Sequence, residues 1–464
     1  MGKMFTIKAS EAYGRRLDPE YHYALRRTRI RSTYPSAKLL SLSYFRTGGT
    51  PSTAHPEYWN GSIPWVSAKD FKAFRFEDSE DHVTELAVAE STTCYVNRPA
   101  VLMVSRSGIL QHTLPVMVTH KPTTINQDIK AFFPDDRVSV DYLGAFFDVF
   151  GSRLLPLVCK SGATVQSLNT EQLMDLSIPL PPLTEQRKIV AELDAAYAAK
   201  RAADEKATKL LASIDNMVLN ELGIANLPKP DTSLSSRIFT VPAKEVLNDR
   251  FDAHYNQNFF RDLADLIRED KRCCRLGSVG TFVRGVTYKS EDESDCGHAI
   301  LRANNVSLEE FDLDLSDLVH VSSDLAFSPA QQIKDGDILI CAASGSKEHA
   351  GKVAYVRNAP DDTYIGGFMM VLRTDAGVNP EYVAAYMQSS IFRGLIFRHL
   401  GGTNINNVSL ELLNKLPLIL PDAAMQDGIA LKASSIRAET RKLKADATAA
   451  LDAAKRKIEQ DIVR

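Results

Sequence analysis

The feature that most constrains this 464-residue chain is that much of its sequence occurs twice. Phe5-Thr6-Ile7 and Arg16-Leu17-Asp18 return as Phe239-Thr240-Val241 and Arg250-Phe251-Asp252, and both are displaced by 234 residues. An internal repeat of this length decides the architecture, because each copy must fold in the same way. The sequence therefore predicts two similar folded units in tandem.

The repeat continues along the chain, and its displacement grows twice by three residues. A displacement of 237 relates Phe45, Gly48, Thr50, Ile63, Leu102, Ser107 and Gly108 to Phe282, Gly285, Thr287, Ile300, Leu339, Ser344 and Gly345. A displacement of 240 relates Ile125, Tyr142, Gly162, Leu176, Pro181, Gln186 and Ile189 to Ile365, Tyr382, Gly402, Leu416, Pro421, Gln426 and Ile429. Such a duplication predicts two domains related by an approximate twofold axis, as in a symmetric dimer.

Composition and length agree with a soluble protein of several domains. Hydrophobic residues make up 44% of the chain and charged residues 24%, which is ordinary for globular proteins. No window approaches the roughly 18 apolar residues of a membrane span, and no signal peptide is recognisable, so we expect a cytoplasmic protein without membrane contact. The six cysteines form no C-x-x-C pair or zinc-finger spacing, so neither a metal nor a disulfide is expected.

Within each copy, short apolar runs precede a long helix. Val101-Leu102-Met103-Val104 and Ile338-Leu339-Ile340 are branched and bounded by turn residues, which is typical of buried strands. After Pro179-Leu180-Pro181-Pro182 the pattern predicts a helix that begins at Thr184, with the threonine side chain as its cap. Both copies are therefore predicted to be mixed α/β domains followed by a helix.

Apolar residues recur at heptad spacing along the first long helix and again near the C-terminus. The first seam consists of Ile189, Leu193, Ala196, Ala203, Ala207, Leu210, Ile214 and Met217. The second consists of Ile436, Leu443, Ala447, Ala450, Ala454 and Ile458. Each helix could pack only on its own domain, but two seams that follow two equivalent domains favour an antiparallel coiled coil between the helices. At 1.5 Å per residue the first helix would span roughly 57 Å and act as a rigid spacer.

Several strings in the first copy resemble a known family. Gly48-Gly49-Thr50-Pro51-Ser52, Pro56-Glu57-Tyr58-Trp59 and residues 63–70 are similar to the opening of a target recognition domain in the specificity subunits of type I restriction-modification enzymes. Residues 180–190 resemble the entry into the first conserved spacer helix of that family. The second copy matches less well, because Pro421-Asp422-Ala423-Ala424-Met425-Gln426 lacks the usual Pro-Pro and Glu.

The resemblance implies an α+β protein with two target recognition domains in pseudo-twofold arrangement, separated by the two paired helices. Its boundaries would be 1–183 for the first domain, 184–222 for the central spacer helix, 223–421 for the second domain and 422–464 for the C-terminal spacer helix. Each domain would read one half of a bipartite site in double-stranded DNA. The helices would dock methyltransferase subunits and, through the complex, motor and restriction subunits.

Candidate DNA-reading residues should lie in loops, because base edges need donors and acceptors that protrude from the fold. In the first copy the candidates are Trp65, Ser67, Lys69, Ser105, Arg106, Ser107, Gln127, Lys160, Ser161, Thr164 and Gln166. In the second copy they are Arg302, Asn304, Asn305, Ser344, Ser346, Lys347, Thr403, Asn404 and Asn406. For each of them the alternative is an ordinary turn former, and Trp65 is better interpreted as part of the framework.

Motifs for catalysis are missing from the sequence, so no enzymatic activity and no cofactor are expected. Asn379-Pro380-Glu381-Tyr382 superficially resembles the catalytic tetrapeptide of DNA methyltransferases, but proline at the first helical position better indicates a helix start. No G-x-x-x-x-G-K-[ST] phosphate loop occurs. Two alternatives to sequence-specific DNA targeting stay open: a scaffold of the same fold that reads no sequence, suggested by the net charge of -3, and a cryptic nuclease or transferase.

Overall fold

A computed structural model describes residues 30–160, 165–224, 227–228, 230–231, 233–247, 250–307, 310–400 and 406–463. The chain divides into two compact units, which are described separately. Unit 1 extends to Ala203 and also includes the residues from Ala445 onward, and unit 2 is Asp204–Lys444. Among the described residues, no helix combines the length and apolarity needed to cross a membrane.

Unit 1 contains short strands and helices followed by the first part of a long helix. Its strands are β1 Ser36–Lys38, β2 Ser43–Thr47, β3 Trp59–Val66, β4 Asp81–Val83, β5 Cys94–Val96, β6 Ala100–Val104, β7 Val116–Thr119, β8 Thr123–Ile125, β9 Ile129–Pro134, β10 Cys159–Lys160, β11 Ser167–Leu168 and β12 Ser177–Pro179. Its helices are α1 Leu39–Leu42, α2 Glu85–Glu90, α3 Val140–Val158, α4 Thr170–Met174 and the start of α5 Leu183–Leu222.

Two four-stranded sheets form the framework of unit 1. The first has the order β2-β9-β6-β7 and is antiparallel throughout. The second has the order β4-β3-β8-β5, in which β3 and β8 run parallel. Strand β6 is buried at every position, as its branched apolar sequence predicts. Two further strand pairs, β1-β12 and β10-β11, occur among the described residues of unit 1.

Helix α3 supplies the aromatic core of unit 1. Its N-cap is Ser139, whose hydroxyl accepts from the Tyr142 N–H at 3.1 Å. Three phenylalanines at near-helical spacing, Phe146, Phe147 and Phe150, are completely buried in the cluster that contains Val101 and Met103 of β6. Each such side chain contributes about 1.5–3 kcal/mol on burial, so this helix face fixes α3 on the first sheet.

Unit 2 begins within α5 and has the second set of strands. These are β13 Cys273–Arg275, β14 Gly280–Arg284, β15 Glu293–Ser294, β16 His298–Leu301, β17 Val319–Val321, β18 Ile338–Cys341, β19 Ala343–Ser344, β20 Val353–Tyr355, β21 Thr363–Ile365, β22 Met369–Thr374, β23 Asn406–Asn407 and β24 Pro417–Ile419. Its helices are α6 Ala243–Val246, α7 Asn258–Arg268, α8 Pro380–Gln388, α9 Ser390–His399, α10 Leu410–Lys415 and the first half of α11 Ala423–Val463.

The first sheet of unit 2 repeats that of unit 1. Its order β14-β22-β18-β20 is antiparallel throughout and corresponds strand by strand to β2-β9-β6-β7. Phe45 lies opposite Phe132, and their counterparts at the predicted displacements, Phe282 and Leu372, also lie opposite each other. The second sheets share a parallel pair, β3-β8 and β16-β21, but their outer strands differ. The structure thus supports the duplication at the level of each unit's sheet plan.

Helices α5 and α11 are 40 and 41 residues long, close to the predicted spacer segments. The first begins at Leu183, one residue before the predicted start, so Thr184 lies inside it and does not cap it. Pro182 occupies the entry, and its carbonyl accepts from the N–H groups of Glu185 and Gln186 at 2.8 and 3.0 Å. The helix ends at Leu222, and the next residue, Gly223, adopts a positive φ of 78° suited to a glycine after a helix.

Part of each long helix belongs to each unit, and the two parts pack together there. In unit 1, Ile189 and Leu193 share a core with Leu451, Ile458 and Ile462. In that unit Lys457 also donates to Glu192 at 2.5 Å.

Unit 2 contains the corresponding helix contact. Ile214 and Val218 lie in its core with Ile429 and Ala433, and Lys432 donates to Glu221 at 2.6 Å. The predicted first seam is buried or half-buried at all eight positions. In the second seam Ala450 is exposed, contrary to the prediction, because the adjacent Leu451 occupies the buried position.

A glutamine at the start of each long helix connects it to its unit. The Gln186 carbonyl oxygen accepts from the Ser139 N–H at 2.9 Å, and its amide donates to the Pro181 carbonyl at 3.0 Å. Gln426 makes the same two bonds, to the Asn379 N–H at 2.9 Å and to the Pro421 carbonyl at 2.8 Å. The altered sequence around 421–426 therefore leaves this joint intact in the second copy.

Candidate DNA interface

Loops that follow four strands of unit 1 meet at one edge of its sheets. The Gly49 N–H donates to the Ile125 carbonyl at 3.0 Å, and the Asn126 N–H donates to the Val66 carbonyl at 3.0 Å. The Ser105 N–H donates to the Asp128 carbonyl at 2.7 Å. We call residues 48–50, 67–69, 105–107, 126–128 and 166–167 the unit 1 edge. Most of the predicted readers of the first copy lie in it.

Close backbone approach at this edge requires glycine at position 48. A Cβ atom there would lie 1.9 Å from the Ile125 carbonyl oxygen, which is far inside any allowed contact. The equivalent Gly285 shows the same restriction, since its Cβ would lie 1.9 Å from the Gly366 carbonyl oxygen. These two glycines occupy equivalent positions in the repeat. In each unit the glycine lets the loop after an outer strand of the first sheet, β2 or β14, approach the end of a strand of the second sheet, β8 or β21.

Three predicted residues in the last part of β3 and just after it contribute to the framework of the edge. Trp65 is 8% exposed, and its indole N–H donates to the Gly49 carbonyl at 3.2 Å. The Ser67 hydroxyl donates to Asp70 at 3.0 Å in a capping box. The Lys69 ammonium lies 2.8 Å from Asp81 and 3.1 Å from Glu80, and these hydrogen bonds raise its pKa. Each side chain therefore has a structural partner within the protein.

The loop after β6 projects a guanidinium group. Ser105 is buried and its hydroxyl donates to the Asp128 carbonyl at 2.9 Å, whereas Ser107 caps a 3-10 turn and accepts from Ile109. Arg106 is exposed between them and donates to the Asp128 carboxylate at 2.7 Å. A guanidinium held at one nitrogen keeps its remaining donors for a base or a phosphate. Arg106 is thus the best placed cation of the unit 1 edge.

The remaining candidates of the first copy lie close to Arg106 or outside the described residues. Arg106 forms a backbone bridge with Ser167, and the Ser107 N–H donates to the Gln166 carbonyl at 3.1 Å. Gln127 is exposed and its side-chain oxygen accepts from the Thr50 hydroxyl. Lys160 is exposed in β10. Ser161 and Thr164 lie outside the residues that the structure describes.

Equivalent loops of unit 2 form a second edge. The Val286 N–H donates to the Ile365 carbonyl at 2.7 Å, and the Gly366 N–H donates to the Leu301 carbonyl at 2.9 Å. The Ala342 N–H donates to the Phe368 carbonyl at 2.8 Å, which repeats the bond from Ser105 to Asp128. We call residues 285–287, 302–305, 342–347, 366–368 and 406–408 the unit 2 edge.

Asparagines of the second copy hold the loop after β16. Asn305 is 1% exposed and donates to the carbonyls of Asp314 and Asp317 at 2.9 and 3.0 Å. It also accepts from the Arg302 N–H at 2.8 Å. Asn304 donates to the Asp317 carboxylate at 2.8 Å. The Nε of Arg302 is buried without a partner, so this guanidinium has an unused donor beside the loop.

The loop after β18 contains the other described candidates. Ser344 and Ser346 accept from backbone N–H groups two residues further on, and Lys347 is exposed. Arg393 supports this loop from α9 by donating to the carbonyls of Ala350 and Glu348 at 2.9 and 2.6 Å. Thr403 and Asn404 lie outside the described residues, and Asn406 is described by its backbone, which pairs with Ser344.

Three residues that sequence reasoning missed also belong to the two edges. Thr50 donates to Gln127, and it lay within the glycine-rich string already recognised. Asp128 orients Arg106, but an aspartate in a turn gives no separate signal. Phe368 is 73% exposed in the middle of the unit 2 edge, and only the displacement of 240 from Asp128 could have placed it there.

Comparisons with known proteins support the resemblance in the first half of the chain. Residues 35–210 match the family model described as "Type I restriction modification DNA specificity domain". A stretch of 148 residues is 40% identical to the specificity subunit of the type I restriction enzyme EcoR124I/EcoR124II of Escherichia coli, which covers 32% of this chain and 37% of that protein. The resemblance predicted from residues 48–70 and 180–190 is confirmed for this part of the chain.

Two further relatives are also named as specificity subunits of type I restriction enzymes. The StySPI specificity subunit of Salmonella potsdam is 35% identical over 174 residues, 37% of each chain. The MjaIX specificity subunit of Methanocaldococcus jannaschii is 30% identical over 162 residues, 34% of this chain and 36% of that one. The chain thus aligns with little more than a third of the length of these relatives.

Solved structures with similarity to the whole chain were also found. The S subunit of a type I restriction-modification system from M. genitalium gives a TM-score of 0.40 at 12% identity, covering 93% of this chain and 96% of that one. The HsdS subunit from Thermoanaerobacter tengcongensis gives a TM-score of 0.34 at 15% identity, with the same coverage.

Proposed function

We propose that this chain, whose residues 35–210 form a type I restriction-modification DNA specificity domain, is the sequence-specificity subunit of such a system. Each unit reads one half of a bipartite site in double-stranded DNA through its edge. The subunit determines which DNA sequence is bound, and methyltransferase subunits catalyse the methylation. Motor and restriction subunits join through the complex, and the protein acts in the cytoplasm.

The observation that carries this proposal is the match of residues 35–210 to a DNA specificity domain, combined with the repetition of the same sheet plan in unit 2. Sequence matching alone supports one reading domain. Unit 2 has equivalent strands and an equivalent edge, which supports a second DNA-reading domain. A bipartite target follows, because two similar domains with different loop residues recognise different sequences.

Charge at the unit 1 edge favours selective over nonspecific binding. Lys69 and Arg106 are each paired with carboxylates of the same unit, so part of their charge is already neutralised before DNA binds. Nonspecific binding relies on unpaired cations that neutralise phosphates. Arg106 and Arg302 would read guanine, because a guanidinium matches its two acceptors in the major groove. The other edge residues would position these side chains or contact phosphates.

The two long helices would fix the distance between the half-sites and dock the methyltransferase subunits. The support is the packing of α5 on α11 inside each unit. In unit 1 Glu192 pairs with Lys457, whereas in unit 2 Glu221 pairs with Lys432. An antiparallel coiled coil is the arrangement that the two heptad seams favour. At 1.5 Å per residue each helix spans roughly 60 Å, enough for a rigid spacer.

Point variants at each edge test the assignment of half-sites. The full chain is co-expressed with its methyltransferase subunit, and methylated bases are mapped across the host genome by single-molecule sequencing. We expect wild type to modify one bipartite motif. Arg106→Ala should relax one half of that motif, and Arg302→Ala should relax the other, with a loss of about 1–3 kcal/mol of discrimination at the affected position.

Matched controls remove a surface cation that also pairs with a carboxylate. Lys121→Ala in unit 1 breaks a 3.0 Å pair with Glu77, and Lys415→Ala in unit 2 breaks a 2.6 Å pair with Glu411. Both should leave the motif unchanged. A stable complex that methylates no defined motif would contradict sequence reading and leave a scaffold of the same fold as the remaining interpretation.

A further inference from the structure

The unit 2 edge presents one large apolar side chain among polar ones. Phe368 lies in the turn between β21 and β22, and 73% of it is exposed. Arg302, Ser344 and Lys347 belong to the neighbouring loops of the same edge. Leaving a phenylalanine in water forgoes the burial free energy of a large apolar side chain. A partner that covers it would recover part of that free energy.

Hydrogen bonds hold the backbone of Phe368 in place. Its carbonyl accepts from the N–H groups of Ala342 at 2.8 Å and Ala343 at 3.3 Å. The preceding Gly366 and Gly367 are packed so closely that an added Cβ would lie 2.9 Å and 3.0 Å from neighbouring carbonyl oxygens. The turn is therefore tightly supported, and the ring projects from a defined point of the edge.

Unit 1 has a different residue at the equivalent position. Asp128 corresponds to Phe368 by the displacement of 240 and by the shared bond to its carbonyl, from Ser105 in one unit and Ala342 in the other. Asp128 pairs with Arg106, whereas the unit 2 counterpart of Arg106 is Ala343. The same turn thus orients a cation in unit 1 and presents an aromatic ring in unit 2.

We propose that Phe368 contacts the 5-methyl group of a thymine in the major groove of the half-site that unit 2 reads. This inference rests on the proposed function. The thymine methyl is the apolar group that base pairs present in the major groove, and apolar side chains distinguish thymine by contacting it. Unit 1 has no ring at its equivalent turn, so its half-site is read without this contact.

Replacing thymine by uracil removes only the methyl group and therefore tests the contact directly. The full chain in complex with its methyltransferase subunit is used, and the half-site of unit 2 is first identified from the Arg302→Ala variant. Each thymine of the target is then replaced singly by uracil in synthetic duplexes. Wild type should lose about fourfold in affinity at one position of the unit 2 half-site, the value of one buried methyl group.

Substitutions of Phe368, combined with the thymine-to-uracil replacement, show whether the ring and the methyl group act together. Phe368→Ala should lose similar affinity for thymine DNA and show no further loss with uracil at that position, while Phe368→Leu should keep part of the discrimination. Uracil in the unit 1 half-site should affect wild type and Phe368→Ala equally. Because Phe368 is exposed and its backbone bonds do not involve the side chain, both variants should unfold at the wild-type midpoint.

Three results would overturn the inference. The first is a unit 2 half-site without an A·T pair, and the second is unchanged discrimination of uracil by Phe368→Ala. The third is insertion of the ring between base pairs, detected as increased fluorescence of 2-aminopurine in the unit 2 half-site with wild type but not with Phe368→Ala, and without any effect of uracil. Absence of a methylation motif for wild type would instead contradict the proposed function, which separates the two failures.

Discussion

The glutamine joints allow a quantitative test of how each long helix is fixed to its unit. Gln186 is fully buried and makes three hydrogen bonds: it accepts from Ser139 at 2.9 Å and donates to the carbonyls of Arg137 and Pro181 at 3.0 Å each. Gln426 is 3% exposed and makes two such bonds. Methionine has a similar volume but replaces none of them. At about 1 kcal/mol per bond, Gln186→Met should cost about 3 kcal/mol and Gln426→Met about 2 kcal/mol.

Tryptophan fluorescence separates the effects on the two units. The only tryptophans of the sequence are Trp59 and Trp65, and both belong to unit 1. In guanidinium denaturation, Gln186→Met should lower the midpoint of the fluorescence transition. Gln426→Met should lower the midpoint of the circular dichroism transition with a smaller effect on fluorescence. A matched control is Gln111→Met, which makes the same chemical change at an exposed position of unit 1.

The reasoning would be refuted by a Gln186→Met variant whose fluorescence-monitored free energy of unfolding falls by less than about 1 kcal/mol. Such a result would mean that water satisfies the Ser139 N–H and the two carbonyls after the substitution. Reversal of the order, with Gln426→Met the more damaging variant, would equally contradict a loss that scales with the number of bonds.

Two other predictions concern unit 1. Gly48→Ala should destabilise the unit by more than about 2 kcal/mol in the fluorescence assay, because its Cβ would lie 1.9 Å from the Ile125 carbonyl oxygen; a wild-type midpoint would show that the backbone yields easily. Burial raises the pKa of Asp141, but hydrogen bonds from His120 and Arg75 outweigh it and lower the pKa below 3.8. The stability from this lowered pKa is present above pH 4 and is lost as pH falls through the folded-state pKa. Asp141→Asn should flatten the decline of stability between pH 5 and pH 3, and an unchanged decline would remove Asp141 as its source.

The repeat made the framework predictable. Matching residues at displacements of 237 and 240 correspond to strands that occupy the same sheet positions, and the buried strands at 101–104 and 338–340 were located within one residue. The heptad seams located the long helices because a 3.5-residue pattern over 40 residues has few other interpretations. Asn379 caps α8 with Pro380 in the first turn, as the alternative to a catalytic tetrapeptide predicted.

Details of the edges were less predictable, since they depend on contacts between loops distant in sequence. The sequence predicts Lys69 as a DNA-contacting residue in a loop after a strand, but its two carboxylate partners lie in a later segment. Asn305 was selected as a donor for bases, yet it is buried and binds carbonyls nine and twelve residues away. Phe368 was not selected, because an aromatic residue next to glycines gives no sign of its exposure. A polar residue in a loop thus indicates where an edge lies but not whether its side chain is available.

The two bonds that Gln186 and Gln426 share also bear on how such a protein can change during evolution. Each glutamine binds only main-chain groups of its own unit, at the N-cap of an equivalent helix and at the residue that ends an equivalent loop. Main-chain groups are the same whatever side chains surround them. Exchange of the domain that precedes either glutamine by recombination would therefore keep both of these bonds whatever the new side chains are, and under the proposed function it would supply a new DNA target in one genetic event.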